Sequence, residues 1–224
     1  MKKHALTTRL WHWLNAIFLV VLFMSGLNIF NAHPRLYWGE WGFDRADAWL
    51  ILKRFPGWIT IPDYYSLADA RLWHMLFAWP FAFGLLLFML ASLANRHFRR
   101  DLVTGRKEWR WSAIRADIVK HLKLDFSRHG TKFNFLQKLS YGVVIFLLLP
   151  LMIFTGLAMS PGMNANWPWI VDIFGGRQSA RSIHFICAWA LAGFFLLHLV
   201  LVLLSGPIGQ LRDMITGGNV EPTE

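Results

Sequence analysis

The sequence predicts an all-α membrane protein: a four-transmembrane-helix bundle with both termini cytoplasmic and short interfacial helices in its loops. Three observations predict it. Four apolar stretches run at about 11–30, 72–94, 139–160 and 182–205. Charged residues make up only 16% of the 224 residues, against roughly 25% in an average soluble domain, and they are clumped between those stretches. Four of the nine histidines fall within or at the ends of the stretches, where ionisable side chains are costly and usually functional. The apolar fraction of 55% and the aromatic fraction of 16% exclude intrinsic disorder. The lone cysteine, Cys187, excludes an intrachain disulfide, a zinc ribbon and a CxxCH attachment site for c-type haem. The reading is one integral membrane domain over residues 1–224.

The first stretch opens with Trp11-His12-Trp13 rather than a clean apolar core, and no small-residue cleavage site follows it. It is therefore read as a retained helix and not a signal peptide. Each stretch holds about 20 residues or a little more, enough to cross a hydrocarbon core of about 30 Å. The 31–70 loop carries Tyr37-Trp38-Gly39-Glu40-Trp41, Trp49, Trp58, Tyr64 and Tyr65. Those aromatics suit a belt at the lipid interface and equally a docking surface for a partner. In helix 3, Pro150 predicts a kink.

The loops set the orientation. Residues 95–138 hold twelve Lys and Arg against four acids, whereas residues 31–70 hold four against five. Basic bias marks the cytoplasmic side. The 95–138 loop and both termini are then cytoplasmic, and 31–70 and 161–180 are periplasmic. Much of the formal net charge of +10 is thus a topology signal, and no nucleic-acid partner is needed to account for it.

Histidine spacing points to the chemistry. His184 and His198 are fourteen residues apart, close to four turns, so they leave one helix face offset by roughly 40° and separated by about 21 Å. With helix 4 running inward, His184 matches the outer depth of His74, and His198 the inner depth of His12. Two histidine pairs at two depths are what two six-coordinate haems require. Without CxxCH these are non-covalent haem b groups. His12 and His198 are assigned to the cytoplasmic-side haem, and His74 and His184 to the periplasmic-side haem. Gly26, Gly142 and Gly156 keep side-chain bulk low where a flat ring would lie. Arg9, Arg71 and Arg181 lie near the proposed ligands and suit haem propionates, or simple snorkelling. His4, His33, His97, His121 and His129 fall in loops or at the terminus and are expected to be solvated, with His121 and His129 kept as proton acceptors. Cys187, Met152, Met159 and Met163 are expected to pack.

These residues resemble the bacterial di-haem cytochrome b family, the membrane subunits of nickel–iron hydrogenases, formate dehydrogenases and thiosulfate reductases. The matching residues are Arg9 to Ala16, Ser25-Gly26, His74, Asn134 to Lys138, Thr155-Gly156, His184 and His198. The loop bearing Pro34 to Gly39 looks most like the thiosulfate-reductase branch. The resemblance implies a protein of the bacterial inner membrane that relays electrons between the quinone pool and a periplasmic redox partner. That partner would be a molybdopterin oxidoreductase or hydrogenase-type subunit, often reached through an iron–sulfur protein. It also implies a quinone site beside the cytoplasmic haem, with Asn134 as a quinone contact. Taken alone, Asn134 suits a quinone carbonyl or the N-cap of helix 3. Two other readings stay open: a stand-alone quinol-oxidising cytochrome b that reduces oxygen or superoxide, and a haem-free scaffold or proton-coupled transporter.

Overall fold

The computed structural model describes residues 6–95, 98, 102–123 and 134–218. Four long helices dominate it: α1 (Leu6–Phe30), α2 (Leu67–Ala94), α4 (Phe135–Met159) and α7 (Arg177–Leu204). Between and after them lie α3 (Trp111–Leu122), the short α5 (Pro161–Asn166) and α6 (Trp169–Ile173), and α8 (Pro207–Thr216). Each long helix begins before its apolar stretch. At 1.5 Å per residue a 28-residue helix such as α2 or α7 is about 42 Å long, more than the roughly 30 Å hydrocarbon core. The extra turns reach the polar interface, where Asp69, Arg71, Arg177 and Arg181 are tolerated. Leu72, Leu76, Leu87, Leu90, Leu196 and Leu203 are more than half exposed, as lipid-facing positions are. Four such helices make this a multi-pass membrane protein.

Pro150 lies in the first turn of the α-helical segment Leu149–Met159 of α4. The segment Val144–Leu148 just before it is π-helical. A proline ring conflicts with the carbonyl four residues back, here Phe146, and lacks the N–H that would bond it. A wider turn at that place relieves both problems.

The chain forms two compact units. The first comprises Met1–Trp13, Leu85–Leu147 and Gly193–Glu224; the second comprises Leu14–Gly84 and Leu148–Ala192. In the first, Trp11 stacks on Phe88, and Phe98 meets Phe146 edge-on at 4.7 Å. Asp117 of α3 accepts the Leu136 N–H at the start of α4 (2.9 Å), and the Trp109 and Phe135 rings meet at 5.1 Å. The amphipathic α8 leaves Ile208, Leu211 and Ile215 exposed, an interfacial pattern.

In the second unit the 31–70 loop is tied down residue by residue. It contains a small antiparallel pair, β1 (Arg35–Leu36) with β2 (Leu50–Ile51). Asn28, fully buried on α1, donates to the carbonyls of Pro62 and Tyr64 (both 2.9 Å). Asn31 bonds Phe55 twice, donating to its carbonyl and accepting its N–H. Ser182 of α7 donates to the Tyr37 carbonyl and accepts the Trp49 indole N–H. The Gly39 carbonyl receives the N–H groups of Gln178 and Ser179. A smaller core of Ala158, Ile170, Val171 and Ala180 packs with Met159, Met163 and Phe174, so Met159 and Met163 are packing residues, as expected.

That loop-to-helix junction depends on Gly176. Its φ is +111°, and a Cβ there would lie 2.6 Å from the Gly39 carbonyl carbon. Gly175 also has positive φ (+71°), but a Cβ there meets nothing closer than 3.9 Å. Gly176→Ala therefore combines backbone strain of about 1–3 kcal/mol with a clash, whereas Gly175→Ala carries strain alone. Thermal unfolding in detergent should show the larger loss of Tm for Gly176→Ala. Equal losses would contradict this account of the junction.

Candidate functional site

The structure brings the four intramembrane histidines together as two pairs, one in each unit. In the first unit the ring centres of His12 (α1) and His198 (α7) are 6.2 Å apart, at an interplanar angle of 62°. Trp13 meets the His12 ring edge-on at 5.2 Å, and Phe194 stacks on His198. In the second unit His74 (α2) and His184 (α7) lie 6.4 Å apart at 58°.

Those separations have a chemical meaning. Metal–imidazole nitrogen bonds are about 2 Å long, and the ring centre lies roughly 1 Å beyond the nitrogen. Two imidazoles on opposite sides of one metal therefore hold their centres about 6 Å apart. Both pairs match this spacing. Among the described residues there is no cluster of three or more His, Cys, Asp and Glu that could hold a metal. A site with two protein ligands suits a metal whose remaining ligands come from a macrocycle, and so the donor set fits haem.

The second pair is held by its neighbours. His74 Nδ1 lies 2.9 Å from the Ser25 hydroxyl, and His184 Nδ1 lies 2.8 Å from the Thr155 hydroxyl. The glycine after each hydroxyl faces the same ring. A Cβ on Gly26 would lie 3.6 Å from His74 Cε1, and a Cβ on Gly156 would lie 3.6 Å from His184 Cε1. These two glycines border the imidazoles. Gly142 has nothing within 4 Å of its Cβ position.

The other expected site residues have definite places. The Arg9 guanidinium donates to the Ile215 carbonyl, and Trp13 Nε1 to the Met214 carbonyl (3.4 Å), so α8 is tied to the start of α1. Arg181 donates to the carbonyls of His33 and Arg35 and lies over the Phe30 ring at 5.7 Å. Arg71 is exposed, three residues before His74. Cys187 is buried, as expected of a packing residue. His33 departs from the solvated role expected of it. Its ring stacks on the buried Tyr37 at 5.8 Å, and burial, with Arg181 and Arg35 nearby, lowers its pKa. The reason is that the loop folds back on α7 through Arg181 rather than extending into solvent. His121 falls in α3, whereas His4, His97 and His129 lie outside the described residues.

Asn134 is the N-cap of α4. It forms a capping box with Gln137, whose side chain accepts the Asn134 N–H at 3.1 Å. Four residues on, Lys138 forms an ion pair with Glu108 (2.8 Å). Lys138 borders a cleft of about 330 Å³ with Trp109, Leu139, Gly142, Val143 and Phe146. Such a volume lies at the lower end of ordinary ligand sites. The Glu108–Lys138 pair is not legible in the sequence, because the partners are thirty residues apart. Nor does the sequence alone assign a role to the hydroxyls of Ser25-Gly26 and Thr155-Gly156. The repeated hydroxyl–glycine dipeptide was the available signal.

Known proteins resemble this chain along most of its length. A model of the prokaryotic cytochrome b561 family matches residues 3–217. A putative protein-methionine-sulfoxide reductase subunit YedZ1 from Azospira oryzae is 26% identical over 88% of this chain and 87% of its own length. A probable Ni/Fe-hydrogenase B-type cytochrome subunit from Cupriavidus necator is 26% identical over 93% of this chain and 82% of its own length. A protein of the same description from Azotobacter vinelandii is 24% identical over 94% and 84%.

The cleft's ion pair has a pH signature. Partial burial pushes the Glu108 carboxyl up, but the Lys138 ammonium and the Gly105 N–H outweigh it and hold the carboxyl below its usual range. A depressed carboxylate contributes stability above its unfolded pKa of about 4.3, and that contribution is lost as pH falls through the folded value. Thermal stability of the protein should therefore fall more steeply below about pH 5 than that of Glu108→Gln. Parallel pH profiles would contradict the pairing.

Proposed function

The chain belongs to the prokaryotic cytochrome b561 family, and from that premise we propose that it is the membrane electron-transfer subunit of an oxidoreductase, holding two haem b groups between the quinone pool and a partner outside the membrane. It is a multi-pass protein of the bacterial inner membrane, with four spanning helices. The observation that carries the reading is the pair of imidazole separations, 6.2 and 6.4 Å. His12 and His198 would hold the cytoplasmic-side haem, and His74 and His184 the periplasmic-side haem. Haem b, when bound, supplies a one-electron carrier whose potential its ligands and surroundings tune. The excess of Lys and Arg in residues 95–138 supports both termini being cytoplasmic.

Quinone is the proposed substrate of the cleft beside Lys138. Its walls of Leu139, Val143 and Phe146 suit a ring and an isoprenoid tail, and Trp109 adds an aromatic face. The Lys138 ammonium can donate to a quinone oxygen. The Glu108 carboxylate, ion-paired with Lys138, would hold that ammonium in place at the cleft wall. In this reading Asn134 acts on the site through its cap on α4 as well as by contact. Arg9, Arg71 and Arg181 remain candidates for propionate contact. For Arg9 and Arg181 that contact would be added to the carbonyls they already bind.

The proposed partner is a periplasmic molybdopterin oxidoreductase or a hydrogenase-type subunit, in some complexes reached through an iron–sulfur protein. The names of the Azospira and Cupriavidus relatives support an oxidoreductase partner. Trp41, Phe43 and Trp58, each more than 70% exposed on the tied-down loop, support a docking face there.

Two results test this reading. In membranes of the full complex, His198→Ala should lose one haem and the quinol-driven reduction while keeping the other haem. Loss of the other haem instead would contradict the assignment. Lys138→Ala should raise the KM for quinol by roughly tenfold, the size expected for a charge-assisted hydrogen bond, with haem content unchanged. An unaltered KM would remove quinone from the cleft.

A further inference from the structure

We infer that Ser25 and Thr155 are positioning residues for the second histidine pair: their hydroxyls fix His74 and His184 as the Nδ1–H tautomer and leave both Nε2 lone pairs free for an axial ligand bond. The inference rests on the haem reading above and deepens it.

The direction of each hydrogen bond follows from the proton count. A hydroxyl has one proton to give. Ser25 Oγ lies 2.7 Å from the Val21 carbonyl and 3.2 Å from the Leu22 carbonyl. Thr155 Oγ1 lies within bonding distance of the Leu151 carbonyl and 3.3 Å from that of Met152. Carbonyl oxygens only accept, so each hydroxyl proton is committed to its own helix. What each hydroxyl offers the histidine is a lone pair. At 2.9 and 2.8 Å, His74 Nδ1 and His184 Nδ1 must then be the donors. In a neutral imidazole that leaves Nε2 unprotonated.

Helix back-bonding by Ser and Thr is common in apolar helices and would by itself account for the carbonyl contacts. It does not account for the histidine contacts, and still less for their repetition. The same two-residue device occurs twice, on different helices. In each case a hydroxyl meets Nδ1, and a Cβ on the glycine after it would lie the same 3.6 Å from Cε1. The two copies are Ser25-Gly26 of α1 against His74 of α2, and Thr155-Gly156 of α4 against His184 of α7. Ser25 and Thr155 are both fully buried, so water does not compete for these bonds.

The chemical consequence is a tuned ligand. A hydroxyl already donating to a carbonyl is a better acceptor through cooperativity. An imidazole that donates through Nδ1 is a more basic ligand at Nε2. Greater ligand basicity favours the oxidised iron and lowers its potential.

The test is an optical redox titration of the haem-loaded protein, with the two b-type components resolved and electron paramagnetic resonance recorded on the same samples. Ser25→Ala and Thr155→Val should raise the midpoint potential of one component and shift its resonance. That component should be the one that His198→Ala retains. The hydroxyl-keeping variants Ser25→Thr and Thr155→Ser should leave both components unchanged. Loss of that haem in the hydroxyl-less variants alone would also support the inference. It would be overturned by unchanged or lowered potentials at full haem content. Equal shifts or haem loss in the hydroxyl-keeping variants, or a shift in the other component, would overturn it as well. Histidine-selective nitrogen-15 resonance of the full chain reads the tautomer without relying on the haem signal. Nδ1-protonated His74 and His184 are expected, and Nε2–H at either would overturn the inference. Absence of b-type bands in the unmodified protein would sink the haem reading, while the nitrogen spectrum would still decide this one.

Discussion

An imidazole inside an apolar helix must have its ring nitrogens satisfied, and the functional part of this structure is organised by that requirement. Lipid offers no water to hydrogen-bond, and an unsatisfied polar group there costs several kcal/mol. For His74 and His184 one nitrogen is taken up by a hydroxyl of the neighbouring helix. The other is the nitrogen that the proposed haem would take. The glycine beside each hydroxyl borders the same ring. The proposed haem sites are thus the places where the polar accounting of the helices would otherwise be incomplete.

The loop over residues 31–70 obeys the same rule at the membrane edge. It is long and carries few regular elements, but its backbone is bonded by buried side chains rather than left to solvent. Asn28 and Asn31 at the end of α1 hold its later half, and Ser179, Ser182 and Arg181 at the start of α7 hold its earlier half. A rigid loop of this kind can present Trp41, Phe43 and Trp58 to a partner without first being ordered.

Much of this was legible in the sequence because it depends on spacing along one helix. Hydropathy marks four spans, and a fourteen-residue interval between histidines fixes a shared face. The partners of those histidines followed from depth, and the structure brings together His12 with His198 and His74 with His184. What depended on contacts between distant segments was not legible. Nothing local in Arg181 says that it will bind two carbonyls of the 31–70 loop, or in His33 that its ring will stack on Tyr37. The Glu108–Lys138 pair needed the fold of α3 and α4 to form. Asn134 suited either a cap or a quinone contact on sequence grounds, and its cap is what the backbone geometry shows.

If each histidine pair holds one haem, the chain binds two, and haem stoichiometry decides the matter. Pyridine haemochrome and iron analysis of the purified full-length chain, expressed with ample haem supply, give haem b per polypeptide. Two per chain is the value this account predicts. One or none, in protein that is folded and complete, would contradict it.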